Sequence, residues 1–327
     1  MSAAPTPERR MRLCAALLID PPQRDEIDGL RRGLGGAAGL GRIAPHVTVV
    51  PPVNVASAGL RRAQTTLRAA AGSAPGPLHL ELGPVATFAP ANPVLYLQVG
   101  GDLHGLARLR ARLLAPPLSP PSSRPDLRPF VPHVTLGRAT DPVWTAAAIA
   151  ALACYRMTVA CDRVVLLAER SDAGGRRWVP WADAALLPAA VVGRGGLPLE
   201  LTRGRLVDPE AAALLPPEAA ALLPAGAAGT GPAGEGAGDG AGDGRRIVVT
   251  ARREAEVVGV AVAWVDDDGG QVAVVVDPAC RGQGIGSHLL AAVESDVASA
   301  GWSCTTLAAH GPAAWYRRRG RFSVAAG

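Results

Sequence analysis

At 327 residues, with 48% apolar and 19% charged side chains, the chain is long enough for two domains and too apolar for global disorder. It has no run of 18 apolar residues, which argues against a membrane-spanning helix, and its five cysteines lack a Cys-x-x-Cys spacing, which argues against a disulfide framework or a zinc site. The net charge of +5 divides into +8 over residues 1–190 (21 Arg against 13 acidic residues) and −3 over residues 191–327 (12 against 15), so a phosphate-bearing partner is expected in the first half.

The first apolar run stops at Asp20 after seven residues, with no small-x-small cleavage site. It reads as a strand rather than a signal peptide, and a cytoplasmic address follows. Strands are predicted at 13–19, 43–50, 78–82, 94–99, 131–137 and 164–167, with Ala/Leu/Arg-rich helices near 58–71, 103–115 and 144–153. Phe130 and Trp144 read as core, and His79 and His104 as structural or surface residues. Two short helices opened by Pro and acidic residues precede 224–244, which contains nine Gly. That segment reads as a disordered coil spanning roughly 25 Å. Beyond it, 245–252, 257–265 and 272–276 read as β-branched strands.

Pro-His-Val-Thr occurs twice, at 45–48 and 132–135. From six His and 14 Thr, composition alone predicts roughly 0.26 His-x-Thr in a chain of this length, so two in matching context are informative. In a strand, residues i and i+2 share a face, so His46 lies beside Thr48, and His133 beside Thr135. Brought face to face, two such strands place an imidazole on either side of one anion. That pairing suits in-line displacement at phosphorus without a metal: one neutral ring takes a proton, one charged ring gives one, and the hydroxyls hold non-bridging oxygens.

These motifs, with Phe-Val-Pro-His-Val-Thr-Leu-Gly-Arg at 130–138 and the segment 164–186, resemble the two-histidine (2H) phosphoesterases of the 2'-5' RNA ligase type. The resemblance implies a bilobal α+β fold of two related lobes. It further implies an RNA 2',3'-cyclic phosphodiesterase that opens the ring to a 2'-phosphate, with His46 as proton donor and His133 as acceptor. The sequence does not separate those two roles, and ligation is the reverse chemistry at the same site. Arg138 is implied as a phosphate ligand, although strand parity sets it with Val134 and Leu136 unless Gly137 bends the strand. Pro51 holds the equivalent place after the first motif.

The second informative segment is Arg281-Gly282-Gln283-Gly284-Ile285-Gly286, which opens a helix whose stripe is Ile285, Leu289, Val293 and Val297. Glycines at a helix N-terminus bare its N–H groups and let a pyrophosphate approach. The spacing fits neither a dinucleotide fingerprint nor a Walker loop. It resembles the acetyl-CoA loop of the GNAT N-acetyltransferases. That resemblance implies acetyl-CoA on Val275, Val276 and residues 281–286, with Tyr316 as general acid, His310 where Asn is usual, and an amine acceptor of unknown identity. Glu254 and Glu256 stand out no more than surface charges do as an amine base.

The expected fold is a duplicated 2H phosphoesterase domain (12–190), a linker holding the first elements of the second domain (191–244), and a GNAT-like mixed α/β domain (245–327) whose seventh strand is missing or supplied by another chain. The expected partners are RNA or a nucleotide with a 2',3'-cyclic phosphate, and acetyl-CoA, with no metal and no membrane. Two alternatives stand beside the phosphodiesterase. In one, acetyl transfer is the principal activity and the first domain is an RNA or substrate adaptor. In the other, a non-catalytic CoA-sensing module regulates the phosphodiesterase.

Overall fold

A strand buried on both faces organises the first half of the chain. β1 (Arg10–Leu18) is buried without a break from Leu13 to Leu17, so successive side chains, which point to opposite faces of the sheet, are all covered. The computed structural model describes residues 9–35, 40–119, 129–138, 141–172, 175–193, 198–215, 246–266, 269–302, 307–310, 315 and 322–324. It divides into two units, Met1–Trp181 and Ala182–Gly327.

In the first unit β1 lies between β2 (His46–Ala56) and β7 (Arg163–Asp172), with β8 (Gly175–Ala185) beyond, in the order β2-β1-β7-β8. A second sheet has the order β5-β4-β3-β6, from β3 (Leu78–Phe88), β4 (Asn92–Gly101), β5 (His133–Arg138) and β6 (Met157–Cys161). Four helices complete the unit: α1 (Gln23–Gly35), α2 (Leu60–Ala71), α3 (Leu103–Leu113) and α4 (Pro142–Ala151). The run β1-α1-β2-α2 is repeated as β4-α3-β5-α4, so β2 and β5 are equivalent edge strands, each beside the strand that opens its repeat.

The sequence reading omitted α1, β6 and β8. α1 offers only Ile27, Leu30 and Leu34 among charged and glycine residues, and β6 is five residues long. Two side-chain expectations separate in the structure. Phe130 is half-buried, whereas Trp144 is 37% exposed on the first turn of α4 and is not core. The aspartate before that helix supplies the reason: Asp141 caps it by accepting from the Val143 and Trp144 amides, which fixes the turn with Trp144 on its outer side. Leu17 is wholly buried near the C-terminal end of β1. Leu17→Ala should therefore cost about 2–5 kcal/mol of stability, read as a lower urea midpoint.

The second unit is built on one sheet in the order β15-β14-β13-β12-β11-β10-β9. Its strands are β9 (Ala190–Val192), β10 (Leu199–Gly204), β11 (Arg246–Arg253), β12 (Glu256–Asp266), β13 (Gly269–Val276), β14 (Leu307–His310) and β15 (Phe322–Val324). β9 to β13 pair antiparallel; β14 pairs parallel with β13, and β15 parallel with β14. The helix α6 (Ile285–Ser299) packs on one face of β11–β13, through Ile285, Leu289, Leu290 and Val293. The short α5 (Pro209–Ala212) and its neighbours Val207 and Leu215 cover the other face. Gly259 on β12 lets α6 approach, since a Cβ there would lie 2.9 Å from Leu289 Cδ1 and 3.0 Å from the Val275 carbonyl oxygen.

β9 and β10 therefore belong to this sheet, and α5 falls within the first of the two expected short helices, whereas the two strands were not expected before residue 245. β9 has three residues and β10 six, too short for a persistent pattern. The Gly-rich segment 224–244 and the second short helix lie outside the described residues.

Candidate active site

The Pro-His pair sets the local geometry of both motifs. Proline fixes its own φ and holds the residue before it extended, so the carbonyl two residues before each histidine faces the ring. His46 Nδ1 donates to the Ala44 carbonyl at 2.8 Å, and His133 Nδ1 donates to the Val131 carbonyl at 2.8 Å. A carbonyl only accepts, so Nδ1 carries the proton in both neutral rings and Nε2 carries the lone pair. In the first motif that lone pair lies 3.1 Å from Thr48 Oγ1, whose hydroxyl donates to it.

His46 stands opposite Leu18, and Thr48 opposite Ala16, on one face of the first sheet. His133 stands opposite Gln98, and Thr135 opposite Tyr96, on one face of the second. The edge strands β2 and β5 pack against each other, which brings the two motifs together. Each strand is bulged immediately after its threonine. Ala16 and Ala15 pair with Thr48 and Val50, leaving Val49 over; Tyr96 and Leu95 pair with Thr135 and Gly137, leaving Leu136 over.

In the second unit, Gly282 and Gly284 have φ of +78° and +84°, and nothing lies within 4 Å of a Cβ added at either. Gly284 precedes α6 and has no side chain to cap it; its carbonyl accepts from the Ser287 and His288 amides, which leaves the Ile285 and Gly286 amides of the first turn without a partner inside the helix. Arg253 Nη2 donates to Gln283 Oε1 at 2.7 Å, and Arg281 Nε to the Val276 carbonyl at 3.3 Å, tying the loop to β11 and β13.

A family model described as the 2'-5' RNA ligase superfamily matches residues 19–173, which contain both histidine motifs. Residues 19–173 form a domain of that superfamily. Residues 244–320 form a second domain, matched by the acetyltransferase (GNAT) model. No curated protein matches the chain. Among solved structures, E. coli LigT complexed with 3'-AMP is similar at 19% identity and a TM-score of 0.40, over 54% of this chain and 99% of that one. TT0787 of Thermus thermophilus is similar at 16% identity and 0.40, over 54% and 99%. The superfamily domain supports a phosphoesterase activity in general, and the GNAT domain an acetyl-CoA-binding, acetyltransferase-like module.

Within the ligase-superfamily domain the bulge at Leu136 decides where Arg138 points. Arg138 pairs with Val94, two residues before Tyr96, so the extra residue returns it to the face of His133 and Thr135. The sequence parity that set it with Val134 and Leu136 therefore does not hold, because the bulge re-phases the strand. His133 is oriented by two aromatic residues that the sequence reading missed. Phe88 and Tyr96 stack at 4.1 Å, and the His133 ring meets them edge-on at 5.0 and 5.3 Å.

Burial lowers the His46 imidazole to about 4, with the charges of Arg31 and His133 acting in the same direction and the hydrogen bond to the Ala44 carbonyl opposing them. The free ligase-superfamily domain therefore holds His46 neutral at pH 7.

Other expected residues fall as follows. In the GNAT domain the Ile285 side chain is 3% exposed and packs in the core, which leaves only its backbone for a ligand. Gly286 lies against Trp315 and Val276, its added Cβ being 3.3 Å from Trp315 Cζ2. Tyr316 lies outside the described residues. His79 and His104 are exposed. Among the described residues no cluster of His, Cys, Asp or Glu has a metal-holding arrangement, and no helix is long and apolar enough to cross a membrane.

Proposed function

We propose that the first domain is an RNA 2',3'-cyclic phosphodiesterase that opens the ring to a 2'-phosphate, and that two imidazoles supply its acid and base. A neutral His133 takes a proton from water as the water oxygen bonds to phosphorus. The phosphorus–O3' bond breaks, and a protonated His46 delivers its proton to the departing oxygen. Thr48, Thr135 and Arg138 hold the non-bridging oxygens. The observation that carries this reading is the matched anchoring of both rings through Nδ1, which turns each Nε2 over to proton transfer from packed edge strands.

The depressed His46 titration bears on the donor role. An anionic phosphate between the rings would restore the proton that the free protein disfavours, so substrate binding itself arms the acid. Acid and base are both protein groups in this reading, and excess EDTA should leave the rate unchanged. Incubation with a nucleoside 2',3'-cyclic phosphate, followed by identification of the monophosphate isomer, tests the reading. The 2'-isomer is expected; no hydrolysis, or hydrolysis lost with EDTA, would overturn it.

The second domain is proposed to hold acetyl-CoA by its pyrophosphate on the N-terminus of α6, with Arg281, Gly282, Gln283, Gly284 and Gly286 around it and the ends of Val275 and Val276 beside it. The open space above Gly282 and Gly284 and the uncapped helix fit that group. When bound, it supplies an activated acetyl thioester. Gly284→Val forces a β-branched residue into the left-handed region, at a cost of about 1–2 kcal/mol. CoA affinity measured by calorimetry should fall roughly tenfold or more.

A further inference from the structure

The two lobes are joined at the motif strands by arginines that cross in both directions. Arg31, on α1 of the first repeat, is 6% exposed. Its Nε donates to the Thr135 carbonyl of β5 at 3.1 Å, and its Nη1 to the Ile43 carbonyl at 3.0 Å, just ahead of β2. Asp28, one turn back, lies 3.4 Å from the same Nη1. One guanidinium thus bridges the approach to His46 and the strand that carries His133.

Arg110, on α3 of the second repeat, crosses the other way. Its Nη1 donates to the Val49 carbonyl of β2, and its guanidinium carbon lies 4.2 Å above the Phe130 ring, three residues before His133. The helices follow the same pattern, since α1 packs on β5 and α3 on β2. Val49 is the extra residue of its bulge and Thr135 adjoins the other, so each arginine meets a carbonyl where the ladder is disrupted.

We propose that Arg31 and Arg110 are a reciprocal pair of positioning residues, each reaching from one repeat to the motif strand of the other, that together fix the separation and facing of His46 and His133. Neither guanidinium touches the reacting phosphorus in this arrangement; both act through the strands. The planar fork is required, because one side chain must hold two directed contacts at once, which a lysine ammonium on a flexible stem does not reproduce. Arg31 has a second, separable effect, since its charge also opposes protonation of His46.

The functional part of this proposal rests on the phosphodiesterase reading; the structural part does not. The full chain is compared with Arg31→Lys, Arg110→Lys and the double variant, with Arg31→Met to remove the charge. In the Lys variants, kcat on a nucleoside 2',3'-cyclic phosphate should fall roughly 10²-fold, as expected for a displacement near 1 Å, with KM changed less than threefold. The double variant should lose less than the product of the two single losses, because the pair acts as a unit. In each background the imidazole titrations of His46 and His133 are followed by NMR. His133→Gln should raise the His46 titration in the parent chain and raise it less in either Lys variant, because the rings have separated. Arg31→Met should raise it outright, and Arg31→Lys should not.

Unchanged kcat in folded Lys variants, or undiminished coupling between the two rings, overturns the proposal. If the Lys variants do not fold, the titration is read on Arg31→Gln and Arg110→Gln at low temperature, and intact coupling there overturns it equally. If the parent chain hydrolyses no cyclic phosphate, the phosphodiesterase reading fails by itself. The ring coupling, with inorganic phosphate as the probe, then still decides whether the arginines position the histidines.

Discussion

His46→Ala and His133→Ala should each lower the turnover of a nucleoside 2',3'-cyclic phosphate by roughly 10²–10⁴-fold, the usual contribution of a positioned acid or base. Neither change should unfold the domain. Both rings are half-buried at the start of edge strands, and each makes one neutral side-chain bond to a carbonyl, His46 accepting a second from Thr48, with each such loss costing about 1 kcal/mol. Thermal melts of the variants should therefore stay near that of the parent chain while the rate collapses. The double variant should be little worse than the slower single one, because an acid without its base partner is already disabled. A folded His133→Ala protein that still opens the cyclic phosphate at the parent rate would remove the acid–base pair from the reading.

The second large effect concerns pH. With His46 as donor, the free protein is competent only while that ring is charged, and burial with the Arg31 and His133 charges holds it at about 4. Because kcat/KM reports the free protein and also requires a neutral His133, it should trace a bell whose falling limb approaches tenfold per pH unit once His133 has lost its proton. By contrast, kcat reports the phosphate-bound state, where the anion restores the proton, and its falling limb should lie at higher pH. The gap between the two limbs measures how strongly substrate charges the acid. A kcat/KM that instead climbs through pH 4 and levels off would exchange the roles, making His46 the acceptor. Arg31→Met should move the kcat/KM limb upward by removing one of the depressing charges.

How much of this site could be read in advance depended on how local each interaction is. Pro-His-Val-Thr was legible because its consequences span three residues: proline aims the upstream carbonyl at the ring, and the pleat sets the hydroxyl beside it. The glycine loop was legible for the same reason, since φ values near +80° and an uncapped helix start are properties of consecutive residues. The face of Arg138 was not, because parity along a strand holds only while the ladder is regular, and pairing with β4 decides where the extra residue goes. Likewise β9 and β10 gain their place from pairing with β11, not from a pattern of their own.

Arg31 and Arg110 mark the far end of that scale. In a chain whose 33 basic residues are all arginine, no composition or spacing sets those two apart. Their partners are carbonyls 104 and 61 residues away, and a backbone carbonyl has no residue identity to recognise. Sequence alone determined the two Pro-His-Val-Thr motifs and the local turns that aim their rings, since those forces act between near neighbours along the chain. Only the tertiary structure decided what holds the two motifs at one distance, because that depends on which distant strand edges packing brings within reach of a guanidinium.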